Sequence, residues 1–196
     1  MQNLSVFLTR AEAAVTLQPP SLPGTSFRIG TLADADCISA LAMQVYLNTY
    51  ATEGIRPLLV REIHTQLSIA AISALLADPA KSFILVERAE HLIAFAQITQ
   101  GATNDLVATD NAVELNRLYV QERFAGQGLG KALLHHVEAL AAASGASTMW
   151  LTAWAKNLRA LAFYAAQGYV DVGTTMYRFE HEAHENRLFV KEIGEQ

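Results

Sequence analysis

The chain is short of the features that mark secreted, membrane-spanning or nucleic-acid-binding proteins. Cys37 is the one cysteine in 196 residues, so no intramolecular disulfide can form, and the composition suits a reducing cytoplasm. No uninterrupted apolar run approaches the roughly 20 residues of a membrane-spanning helix, and no membrane partner is expected. The first 25 residues lack a basic start, a compact apolar core and a small-residue cleavage site, which argues against a secretory signal. Basic residues are outnumbered, 14 Lys and Arg against 19 Asp and Glu, whereas a nucleic-acid surface calls for a basic footprint. His181-Glu182-Ala183-His184 sets its histidines one residue too close for the His-Glu-x-x-His zinc motif, so no metal is expected.

A chain of this length fits one domain with a substantial core. Residues 1–25 form an extension and linker, with the breakers Pro19-Pro20-Ser21-Leu22-Pro23-Gly24 at its end. Leu4 to Leu17 has the composition of a short helix that docks on the body or on the partner subunit of a homodimer. The domain proper spans 26–193. Phe27-Arg28-Ile29 reads as a first strand. Asp34 to Tyr50 reads as a helix, with Ile38, Leu41, Ala42, Val45 and Tyr46 on one stripe. After the turn at Thr52–Pro57 a second helical stretch runs through Leu76, broken at Asp78-Pro79. Strands follow at Ser82–Glu87, Leu92–Thr99 and Glu114–Val120. Then come a helix over 128–143 ended by Gly145, a strand at Thr148–Trp154, and a helix over Leu158–Gln167 stopped by Gly168. Tyr169–Phe179 and Arg187–Lys191 close the chain as a hairpin. The expected fold class is α/β, a mixed sheet flanked by helices.

The densest chemical signal is Arg123-Phe124-Ala125-Gly126-Gln127-Gly128-Leu129-Gly130-Lys131, at a strand-to-helix junction. Glycines there bare backbone N–H groups at the positive end of a helix, which receives phosphate. The Walker A pattern fails, because its first glycine falls on Ala125 and its Ser/Thr on Ala132. The dinucleotide pattern Gly-x-Gly-x-x-Gly also fails on spacing, and the run lies far from the first βαβ position. The pattern Gln/Arg-x-x-Gly-x-Gly/Ala is met by Arg123, Gly126 and Gly128. In that respect the run resembles the acetyl-CoA pyrophosphate loop of the GNAT superfamily of N-acetyltransferases. The segment Asn157-x-x-Ala160-x-x-Phe163-Tyr164-x-x-x-Gly168-Tyr169 looks like a second signature of that superfamily, at the expected distance. The resemblance covers roughly residues 26 to 193 and is closest to the branch that acetylates small amines and polyamines.

The resemblance implies a mostly antiparallel sheet, splayed at the acetyl-CoA cleft, and a direct transfer of acetyl from acetyl-CoA to a small-molecule amine. The pyrophosphate would rest on the 124–131 amides and the pantetheine on the backbone of Leu118, Tyr119 and Val120. Asn157 would hydrogen-bond the pantetheine arm, although as a plain N-cap it would satisfy a helix N–H. Tyr164 would protonate the departing thiolate, although its ring also suits a core. His136 shares a side with Ala132 and Ala139 and reads as packing.

Glu114 stands four residues before Leu118, where several family members place a general base. The chemistry of that role follows from the acceptor. An amine of pKa ~10.4 is almost wholly protonated near neutrality, and exposing its lone pair costs ~4 kcal/mol. A carboxylate, through water, can take that proton, and burial would raise its pKa toward the useful range. The alternative is a solvated strand-end glutamate, with Arg117 and Tyr119 as other polar groups on the strand. Residues 26–113 carry five basic and nine acidic residues, and within this acidic excess Asp34, Asp36, Glu53 and Glu62 would help attract a cationic amine. A non-catalytic acyl-CoA-binding module and a nucleotide-dependent oxidoreductase are the rival classes.

Overall fold

The structure, a computed structural model, describes residues 22–107, 109 and 111–194; the helix expected at Leu4–Leu17 lies outside them. Seven strands form one mixed sheet in the order β1-β2-β3-β4-β5-β7-β6. They are β1 (Thr25–Ile29), β2 (Lys81–Arg88), β3 (His91–Gln100), β4 (Ala112–Val120), β5 (Thr148–Trp154), β6 (Val170–Phe179) and β7 (Glu182–Glu192). The helices are α1 (Ala35–Tyr50), α2 (Pro57–Leu67), α3 (Ile69–Ala77), α4 (Leu129–Ala143) and α5 (Leu158–Ala166). The chain clusters into two compact units, each described by itself.

The first unit comprises residues 22–98 and 117–137. The stripe expected on α1 is its core face: Ile38, Leu41 and Ala42 are buried together with Leu59, Ile63, Leu67, Ile72, Phe83, Leu85 and Phe95, and Val45 and Tyr46 pack against them. Each buried Ile, Leu or Phe side chain among them contributes about 1.5–3 kcal/mol. Ahead of α1, Asp34 accepts from the N–H of Thr31 at 2.8 Å and from its hydroxyl at 2.9 Å, and Arg28 grips the same carboxylate at 2.7 and 2.9 Å. Pro57 opens α2, where a missing N–H is harmless.

The single helical stretch expected through Leu76 is in fact two helices. Ser68 takes an extended conformation (ψ 157°), and its Oγ accepts the Ala71 N–H at 3.3 Å. A serine offers the backbone this bond in place of a continued helix, so it ends α2 and caps α3. Between β2 and β3 the two-residue turn Ala89-Glu90 has φ of +48° and +63°, the left-handed pair that matches the twist of a hairpin.

The second unit comprises 99–107, 109, 111–116 and 138–194. Here β4 and β5 run parallel, with Ala112 opposite Thr148, Val113 opposite Met149 and Glu114 opposite Trp150. On its other edge β5 pairs antiparallel with β7 along its whole length, and β7 pairs antiparallel with β6. Ala112, Trp150 and Leu188 form a buried cluster with Ala102, Val107 and Val190 beside it, and the Trp150 indole donates to the Ala102 carbonyl at 3.3 Å. His181 lies in the turn before β7, while Glu182 and His184 sit on that strand, where His184 Nε2 meets Glu182 at 3.1 Å. A helical zinc motif does not form there.

Candidate functional site

The glycine run folds as its composition demands. Glu122–Phe124 form a single 3-10 turn, closed by Ala125 N–H to the Glu122 carbonyl at 3.0 Å. Gly126 and Gly128 then take φ of +74° and +83°, the left-handed region where other residues carry a steric cost. The first bond of α4 is Ala132 N–H to the Gly128 carbonyl at 3.0 Å. The N–H groups of Leu129, Gly130 and Lys131 therefore precede the helical ladder and face out at its positive end. Gly126, Gln127, Gly128 and Lys131 are exposed, whereas Leu129 is buried and anchors the turn to the core.

Leading into this loop, Leu118, Tyr119 and Val120 are all half-buried. The Tyr119 ring meets Phe95 edge-on at 5.4 Å and joins the α1 core. Burial pushes its phenol pKa up, partly offset by nearby Arg117. Arg117 itself donates to Gln97, a side chain only 1 % exposed. Of the two alternative polar groups on this strand, Tyr119 thus places its ring in the packing and Arg117 makes an internal hydrogen bond. His136 lies against the Phe27 ring at 4.8 Å, and burial lowers its pKa, in keeping with a packing role.

In the second unit, Glu114 occupies the last pair of the parallel β4–β5 ladder and is half-buried. Both strands continue past it, through Leu115 and Asn116 on β4 and Leu151 to Trp154 on β5. Strand backbone beyond the end of a ladder needs hydrogen-bond partners, and an extended ligand is one kind of group that can supply them as an added strand would.

The second sequence signature has a structural origin in the two ends of α5. At the start, Asn157 Oδ1 accepts the Ala160 backbone N–H at 3.1 Å, which explains the Asn as the helix cap. At the end, Gly168 N–H bonds the Ala165 carbonyl and Tyr169 N–H bonds the Tyr164 carbonyl, both at 3.1 Å, with Gly168 at φ +85°. This is a Schellman motif, and its hydrophobic contact is the Tyr164–Tyr169 ring pair at 5.7 Å. Tyr164, 9 % exposed, also meets Phe163 at 5.2 Å and Phe189 at 6.2 Å. The Tyr169 hydroxyl donates to Glu138 at 2.9 Å, and Lys191 bonds both oxygens of the same carboxylate at 2.9 Å. Burial, reinforced by Glu138, drives the Tyr169 phenol pKa far above its usual value.

Glu62, expected among the acids that attract a cationic amine, is only 7 % exposed, although its place among Leu58, Leu59 and Ile63 on α2 could have shown that it faces the core. One feature escaped the sequence reading. Arg88 stacks on Phe124, with its guanidinium carbon 5.3 Å from the ring centre; no sequence pattern links those two positions.

The glycine turn that bares helix-start amides lies in the first unit and the short parallel ladder in the second, and the mixed sheet with its helices is an α/β fold. The family is settled by comparison: residues 46–169 match the model of the acetyltransferase (GNAT) family, and the chain belongs to that family. An uncharacterised N-acetyltransferase of Mycobacterium tuberculosis is 28 % identical over 162 residues, covering 83 % of this chain and 99 % of the relative. The fold is shared with the PaiA N-acetyltransferase of Thermoplasma acidophilum, solved in complex with coenzyme A (TM-score 0.66, 18 % identity, 85 % of this chain and 99 % of that one). It is shared too with YncA of Salmonella typhimurium, solved with acetyl-CoA (TM-score 0.61, 17 % identity, 88 % and 96 %). The protein is therefore an acyltransferase, of a family that in general moves acetyl from acetyl-CoA to an amine. Among the described residues no helix is long and apolar enough to cross a membrane.

Proposed function

We propose that this protein transfers acetyl from acetyl-CoA directly to the nitrogen of a small amine, with a polyamine as the leading acceptor. The observation that carries the cofactor half is the pair of left-handed glycines, Gly126 and Gly128, ahead of the bare amides of α4. A pyrophosphate on the 124–131 amides satisfies those donors at the positive helix end. Pantetheine then runs along the Leu118–Val120 backbone. Because Asn157 Oδ1 is committed to the helix cap, its contact with the pantetheine arm is donation from Nδ2 to a carbonyl. The domain assigned to this activity is residues 26–193, and a cytoplasmic setting fits the single cysteine.

In the transfer itself, the Glu114 carboxylate accepts, through water, the proton that the acceptor ammonium gives up. The amine lone pair attacks the thioester carbonyl, and a β4 backbone N–H steadies the oxyanion. The carbon–sulfur bond breaks, the Tyr164 hydroxyl protonates the thiolate, and the surplus proton on the newly acylated nitrogen passes through water to the resulting tyrosinate. A thiol near pKa ~8.5 leaves readily, so this donor assists rather than enables. The acidic excess over residues 26–113 favours a cationic acceptor.

The test is acetyl-CoA consumption across polyamines, amino acids, peptides and aminoglycosides. Turnover should be greatest with a polyamine; a clear preference for another class overturns the acceptor assignment. No turnover with any acceptor, alongside intact acetyl-CoA binding, would point to a binding module. Glu114→Gln should lower turnover most at neutral pH while acetyl-CoA affinity holds, and an unchanged pH–rate profile removes Glu114 from the mechanism.

A further inference from the structure

The structure assigns a ligand-binding role to Arg88, at the end of β2: we propose that it holds the 3′-phosphate of coenzyme A and lets the protein distinguish that cofactor from its dephospho form. The inference rests on the acetyl-CoA reading above.

Three observations within the first unit converge. The Arg88 guanidinium carbon lies 5.3 Å from the centre of the Phe124 ring, and that of Arg123 lies 5.5 Å from the same ring. Phe124 closes the 3-10 turn two residues before Gly126, so two cations gather on the side chain that leads into the phosphate turn. Arg88 Nε is also buried with no hydrogen-bond partner, the one such side-chain atom among the described residues. A buried donor left unsatisfied in a native fold calls for an explanation. The neighbouring acid offers none, since Glu87 is bonded to Arg28 at 2.5 Å and alternation along the strand turns it to the opposite face.

Two guanidinium groups within 5.5 Å of one ring centre concentrate positive charge there, and an anion beside the ring would balance it. Coenzyme A carries phosphate in two places. Its internal pyrophosphate is matched by the amides of the glycine turn, which lie along the axis of α4. Its 3′-phosphate is a terminal monoester with close to two negative charges at neutral pH. Arg88 comes to the Phe124 ring from another element, β2, and the planar fork of an arginine suits the paired oxygens of a terminal phosphate.

The test is calorimetric titration of coenzyme A and 3′-dephospho-coenzyme A into the wild type, Arg88→Gln and Arg88→Lys, each checked by thermal midpoint. The wild type should bind coenzyme A about 10- to 100-fold more tightly than the dephospho form, the range for losing a charge-assisted pair. Arg88→Gln should erase most of that ratio by weakening coenzyme A alone, and Arg88→Lys should keep part of it. A wild type that binds the two equally overturns the proposal. So does an Arg88→Gln that weakens both alike, because that places Arg88 on the pyrophosphate or in the fold. If Arg88→Gln does not fold, the ratio in Arg88→Lys decides: unchanged from the wild type, it refutes the role. A wild type that binds neither molecule overturns the acetyl-CoA reading itself.

Discussion

Replacing Gly128 by alanine should damage stability and cofactor binding by two separable routes. Gly128 holds φ +83° while its carbonyl starts the α4 ladder. An L-residue held in that region costs about 1–2 kcal/mol. No steric clash adds to this, because a Cβ built there meets nothing within 4 Å. At about 2–4 °C per kcal/mol for a chain of this size, the thermal midpoint should fall by about 2–8 °C. The same Cβ projects beside the exposed helix-start amides, where the proposed pyrophosphate lies, so coenzyme A affinity should fall about tenfold or more, a loss of ~1.4 kcal/mol or greater. Gly145→Ala is the matched control at the other end of α4. Its φ is +94° and its Cβ is equally unobstructed, and it forms the helix-ending pair of bonds, Gly145 to Ala142 and Ala146 to Ala141. It should lose comparable stability and bind coenzyme A as the wild type does. Thermal denaturation and calorimetry on both variants separate the two effects. If both variants are destabilised alike and both keep full affinity, the pyrophosphate does not rest on this turn. If Gly128→Ala melts with the wild type, the backbone argument is wrong.

Two further outcomes are expected. Asn157→Ala should cost about 1 kcal/mol through loss of the α5 cap and also weaken coenzyme A binding. Asn157→Ser should restore the stability but not the affinity, and recovery of both would assign Asn157 to capping alone. For Asp34, the hydrogen bonds from Arg28 hold the carboxyl well below its ordinary 3.8, so its stabilisation is complete above about that pH and is lost as pH falls toward the depressed folded value. Denaturant unfolding of wild type and Asp34→Asn should therefore show a gap at pH 7 and pH 5 that narrows by pH 3; a gap that stays constant refutes the linkage. The Arg28 partner is more than a third exposed, so solvent screening keeps that gap small.

What could be read without coordinates was whatever depends on near neighbours in the chain. The α1 stripe from Ile38 to Tyr46, the loop glycines and the stops at Gly145 and Gly168 follow from helical periodicity and from the φ values only glycine adopts cheaply. The second signature was legible for the same reason: Asn157 with Ala160 and Tyr164 with Tyr169 are the two ends of one nine-residue helix. Ser68 marks where such local reasoning failed, because its cap competed with a continuous helical pattern and the packing of Leu67 and Ile72 into one core decided the contest. The end of the β4–β5 ladder at Glu114 and Trp150, the commitment of Arg117 to Gln97, and Arg88 on the ring of Phe124 join residues far apart in sequence. No local propensity encodes such pairs; they exist only once the sheet has set its register. The chain by itself thus determined most of its helices, its turns and the glycine run ahead of α4. Tertiary structure alone decided which charged side chains are spent inside the fold and which stand beside the glycine turn, because burial and pairing are properties of neighbours in space.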